Sequence, residues 1–124
     1  DIWQRMWEGG VTNPIEVIMQ LTYLMFMKSL DDKELEAENM EMLGMTAKHV
    51  FPQTEEGQAI RWSRFKDLPA EQMFDVVSQK AFPFIKTMHS DNAFAESMED
   101  AAFGFNKPKT LEKAVSGIDE LLSN

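Results

Sequence analysis

Residues 13–42 read as one long helix, and no other stretch constrains the fold as strongly. Asn13 suits an N-cap, because its side-chain oxygen can accept the amides two and three residues on. Pro14 follows at the first helical position, where its missing N–H is no loss, and Glu16 completes a capping-box pattern. Behind this start, apolar residues from Ile15, Val17 and Ile18 through Tyr23–Met27 to Leu30 cover more than one helix face. That distribution predicts a central helix, rich in Met, Leu and Phe, with neighbours on most sides. Residues 31–42 continue the helix with charge. Leu35, Met40 and Leu43 are its expected inward positions and Gly44 its expected stop.

A membrane span needs roughly twenty nearly uncharged residues. Residues 15–30 are fewer and include Glu16, Gln20 and Lys28, so the run belongs in a core, with one edge available to a subunit interface. Asn13-Pro14 also resembles the first half of the Asn-Pro-Pro-aromatic motif of amino-methyltransferases, in which Asn holds the target amino group and an aromatic ring stacks on the flipped base. Ile15 and Glu16 stand where the second Pro and the aromatic would be. Helix capping therefore accounts for the pair.

The rest of the chain reads as shorter helices. Ile2, Trp3, Met6 and Trp7 share one face of a short helix that Gly9-Gly10 ends. Residues 45–60 read as a loop broken by Pro52 and Gly57, and 59–68 as a turn of helix. Pro69 opens a helix carrying Met73, Phe74, Val77, Ala81, Phe82 and Ile85, which Pro83 should kink or divide. Residues 89–92 read as a loop, and 93–103 as a short acidic helix with Phe94, Met98 and Phe103 inward. After a turn at 104–109, Thr110 caps a last helix with Leu111, Val115, Ile118 and Leu122 at helical spacing. The best strand candidate, 48–51, is weak. The class is all-α, a compact bundle of about five to seven helices around the central one. Residues 1–124 form a single domain, and Asp1 falls inside what reads as a helix, which predicts a piece excised from a larger subunit.

The formal charge is −9, which as a whole repels nucleic acid, but it is unevenly placed. Residues 31–42 hold six acids against Lys33, and 91–103 hold four acids and no base. Residues 43–66 carry Lys48, Arg61, Arg64 and Lys66 against Glu55 and Glu56. The acidic run lacks the spacing and turn glycine of a Ca²⁺ loop and reads as a solvated helix face. In the basic stretch, Trp62 interleaves with cations. Such a group can contact phosphates and offer a ring for stacking; the competing reading is a Trp that anchors a surface turn to the core. Lys48, Arg61, Arg64 and Lys66 are the candidate DNA-proximal residues.

Other chemistry finds little support. With no cysteine, disulfide scaffolds and thiolate metal sites are excluded, which suits a reducing cytosol. His49 and His89 are the only histidines and stand forty residues apart, so a zinc or acid–base site would need tertiary contact. Ten methionines at helical spacing read as core filling. No phosphate loop, dinucleotide glycine motif or nucleophile elbow is present, so no catalytic, cofactor-binding or metal residue is assigned.

Several residues resemble a known family in order. "DIWQRMW", then "PIEVIMQLTYLMFMKSLDDKE", is similar to the N-terminal helical domain of the modification (methyltransferase) subunit of type I restriction–modification systems. Trp3, Pro14, Leu21, Thr22, Tyr23, Leu24, Phe26 and Lys28 carry the match. "IRWSRFKDL" resembles the short Arg-Trp element of that domain, and "TLEKAVSGIDELL" its final helix. The resemblance implies a cytoplasmic parent subunit that methylates adenine in DNA using S-adenosylmethionine. It also implies partners: the subunit's own methyltransferase core, a second modification subunit, a specificity subunit, a restriction subunit and duplex DNA. The catalytic and cofactor motifs would lie in the core domain, outside this chain. The implied role here is assembly and enclosure of DNA; the alternative is a helical module that binds only protein.

Overall fold

The helix predicted from Asn13 forms as α1, Pro14–Met42, in a computed structural model that describes residues 13–87 and 101–122. The Asn13 side chain accepts the amides of Ile15 and Glu16 at 2.9 and 3.3 Å. Glu16 does not reach back as a capping box would; its carboxylate accepts from Gln20 Nε2 at 2.6 Å. Gly44 ends the helix as expected, with φ +82°, a left-handed conformation that a Cβ disfavours. The amides of Gly44 and Met45 return to the carbonyls of Glu41 and Met40, a Schellman closure.

α1 is less enclosed than its apolar run suggests. Val17, Gln20, Leu24, Met27, Asp31 and Glu34 are buried, at alternating spacings of three and four, and define one stripe. Ile15, Ile18, Met19 and Met25 lie on the other side, between 40 and 70% exposed. The charged half also packs differently from expectation. Leu35 and Leu43 face solvent at 43 and 78% exposure, whereas Asp31, Glu34 and Ala37 point inward. The reading of 31–42 as a solvated face holds for Asp32, Lys33, Glu36 and Glu41, which are exposed, and is corrected for Asp31 and Glu34, whose buried carboxylates have internal donors, the condition for burying charge.

The remaining elements are α2 (Glu55–Ala59), α3 (Trp62–Phe65), α4 (Ala70–Val76), a π turn (Val77–Ala81), α5 (Phe82–Lys86) and α6 (Pro108–Leu122). α4, the π turn and α5 run on without a break, so the described residues form five helices and no strand. Residues 48–51 are accordingly not a strand. Pro83 explains the π turn: it has no N–H for a preceding carbonyl, and the Phe82 amide just before it reaches back to Val77, five residues away. α4 packs chiefly on α6, and α1 on α3 and α6. The predicted helix 2–7, the loop 89–92 and most of the acidic helix 93–103 lie outside the described residues. Residues 101–103 are not helical. Phe103 is nevertheless packed, its ring 5.4 Å from Phe82 and 5.5 Å from Phe105. α6 starts at Pro108, before Thr110, which is buried in its first turn; Leu111, Val115 and Ile118 are core, while Leu122 is largely outside.

Gly57 sits in α2 where the backbone of Pro52 crosses it. A Cβ there would lie 2.3 Å from the Pro52 carbonyl oxygen. Alanine gains about 1 kcal/mol in helix propensity, but the clash is with backbone and cannot rotate away. Gly57→Ala is expected to destabilise the fold by about 2 kcal/mol net, read from the urea midpoint.

Candidate functional site

The buried polar residues of α1 each hold a different later segment of the chain. Gln20 donates to the Ala102 carbonyl at 3.0 Å and accepts the Gly104 amide at 2.8 Å, fixing the stretch before α6. Asp31 accepts Arg61 Nε at 2.5 Å and the Ser63 amide at 2.8 Å, fixing the start of α3. Glu34 accepts the amides of Val50 and Phe51 at 2.6 and 3.3 Å, and Gln53 Nε2 at 2.9 Å, fixing the connection before α2. Among the described residues no buried side-chain polar atom lacks a partner. Burial alone would raise the Glu34 carboxyl, but the Val50 amide, His49, Gln53 and the Phe51 amide outweigh it and hold the group below its ordinary range.

Against this frame the four candidate cations separate. Arg61 is 4% exposed. Besides Asp31 it donates to both oxygens of Glu38, at 2.9 and 3.1 Å, and to Gln58 Oε1 at 2.7 Å. Burial opposes its charge, but Glu38 and Asp31 more than compensate and its pKa is raised further. Its guanidinium is therefore an internal tie rather than a surface cation. Lys66 is partly exposed and lies 3.2 Å from Asp119 on α6. Arg64, on α3, and Lys48, in the connection after α1, are exposed.

Trp62 anchors the turn to the core, its indole N–H donating to Asp119 at 2.9 Å and its ring meeting Phe65 edge-on. It is 3% exposed and presents no free ring for stacking. Asp119, lowered by Trp62 and Lys66 against the opposing effect of burial, thereby links α6 to α3. Beside this link, Lys28, Asp32, Leu35, Lys66 and Leu122 border an open cleft of about 240 Å³. The Lys28–Asp32 pair on its rim is long, at 3.3 Å, and half solvated.

His49 sits between Glu34 and Glu41, a placement the sequence did not announce. A signal for the buried polar residues existed in the three-and-four spacing, which carries the core stripe of α1 from Met27 straight through Asp31 and Glu34.

The sequence profile of the HsdM N-terminal domain family matches residues 1–118. The chain belongs to that family. It is the N-terminal domain of the modification (M) subunit of type I restriction–modification systems. No curated protein and no solved structure matches the chain significantly. Within the HsdM N-terminal domain, no helix of the described residues is long and apolar enough to cross a membrane.

Proposed function

We propose that this domain serves assembly and DNA enclosure in a cytoplasmic complex, while a separate catalytic domain transfers the methyl group from S-adenosylmethionine to adenine. Membership of the HsdM family over residues 1–118 carries the reading. The exposed apolar side of α1, with Ile15, Ile18, Met19 and Met25, supports an assembly role, since a solvated helix seldom shows such a strip without a partner. The proposed partners are the subunit's own core, a second modification subunit, and the specificity and restriction subunits. Ile15→Ser with Ile18→Ser should weaken association of the assembled complex by roughly tenfold or more. The fold should be nearly unaffected, because neither side chain is in the core. Unchanged association, measured by sedimentation or calorimetry, would place the assembly surface elsewhere.

The DNA-proximal role is assigned to Lys48 and Arg64, with Lys66 as a half-committed third. In the assembled complex, Lys48→Ala with Arg64→Ala should reduce the log–log salt slope of DNA binding by up to about two. An unaltered slope would favour the protein-only module instead. The internal commitment of Arg61 and the pairing of Lys66 with Asp119 already lean toward that second reading.

A further inference from the structure

We propose that His49 is a doubly donating imidazolium that works as a proton-dependent clasp, fixing the connection 44–53 onto α1. The ring's Nδ1 lies 2.7 Å from Glu34 Oε2 and its Nε2 lies 2.9 Å from Glu41 Oε1. A neutral imidazole has one N–H and one lone pair, so it can donate to only one of these carboxylates. Its bare nitrogen would then face the lone pairs of the other. Only the charged ring satisfies both contacts together.

The surroundings favour that cation. From α1 the groups on this side are Glu34, Glu38 and Glu41, with Glu38 taken up by Arg61 from the junction of α2 and α3. From the connection itself, Lys48 is exposed and Gln53 is uncharged. Glu34 is fully buried and already ionised against the amides of Val50 and Phe51. Loss of the ring proton puts a lone pair against a carboxylate at one end of the bridge. Glu34 is shared, so the loosening is felt at Val50 and Phe51.

The direction with pH follows. Hydrogen bonds to Glu34 and Glu41 raise His49 above its ordinary value of 6.5. Its contribution is therefore complete below that unfolded value and is lost as pH rises through the folded one. The clasp also sets where the backbone presents Lys48, but it does not depend on any DNA contact.

Two measurements on the intact chain test it: nitrogen-15 shifts of the His49 ring, and hydrogen exchange at Val50 and Phe51 corrected for its intrinsic pH dependence. Both ring nitrogens should be protonated below pH 6.5, and the ring should titrate above that value. Protection at the two amides should fall roughly five- to tenfold, the value of about one net hydrogen bond, as the ring loses its proton. His49→Gln should abolish that step. Glu41→Gln leaves the Glu34 contacts in place and should move the ring titration to lower pH; it carries the test if His49→Gln does not fold. A single N–H below pH 6.5, protection that is flat through the ring titration, or an unmoved titration in Glu41→Gln would overturn the proposal.

Discussion

Arg61→Ala is expected to destabilise the domain by about 3–5 kcal/mol and to lower its melting temperature by roughly 10–20 °C. The size comes from what is left behind. Asp31 is 2% exposed and would be left with the Ser63 amide as its remaining donor. Glu38 matters less, because it is 40% exposed and can turn to water. Glu38→Gln should therefore cost less than about 1 kcal/mol. Replacing both buried partners, Arg61→Met with Asp31→Leu, should recover much of the loss, since no unpaired charge remains. Recovery will be incomplete, because Asp31 also holds the amide at the start of α3. Thermal and urea unfolding followed by circular dichroism check all three. An Arg61→Ala protein of undiminished stability would show that this ion pair does not hold the junction. The result also bears on function: weakened DNA binding by an Arg61 variant would report on folding, which is why Lys48 and Arg64 carry that test.

The contrast between Arg61 and Arg64 shows what was legible in the sequence and what was not. Both stand in one basic stretch beside Trp62, and charge counting treats them alike. The Asn13-Pro14 start and the apolar run behind it located α1 and its cap, and Pro69 and Pro83 located the start and the disturbance of the later helical run. Those features are local, so sequence spacing records them. The partner of a buried charge is not local: Asp31 and Arg61 are thirty residues apart, and Glu34 and Val50 sixteen. Their acids looked like a solvated face because a carboxylate on a helix usually is one. Continuing the spacing from Val17 and Gln20 through Leu24 and Met27 reaches Asp31 and Glu34 in phase. That phase was the available signal, and the charge of the residues concealed it. The apolar residues misled in the opposite sense. Ile15, Ile18, Met19 and Met25 are out of phase with the stripe, and they are left exposed.

Glu34→Ala is the second substitution with a large expected effect, about 2–4 kcal/mol. It would strip acceptors from two backbone amides, Gln53 and His49 in one step, whereas the connection it anchors has no regular ladder of its own to fall back on. Part of the loss is offset because residues 45–50 are near the surface and their freed amides can find water. Phe51 is the exception. Its ring is buried and stacks on Phe84 at 5.3 Å, so releasing its backbone loosens a core contact between this connection and α5. Glu34→Gln separates charge from shape. The amide oxygen, in the place of Oε1, can still accept both backbone N–H groups, but the NH2 end would face His49 Nδ1 and Gln53 Nε2, donors to donors. It should cost less than Glu34→Ala near pH 7 and differ in its pH dependence. In the native protein the Glu34 carboxyl is held below its ordinary 4.5, so its contribution is present above that value and is lost as pH falls through the folded one. Asp119, held below 3.8, acts in the same sense. The urea midpoint of the native chain should therefore decline as pH drops below about 4.5, and the decline should be shallower in Glu34→Gln. Parallel acid limbs in the two proteins would mean that the charge of Glu34, as distinct from its hydrogen bonds, contributes nothing to holding the connection on α1.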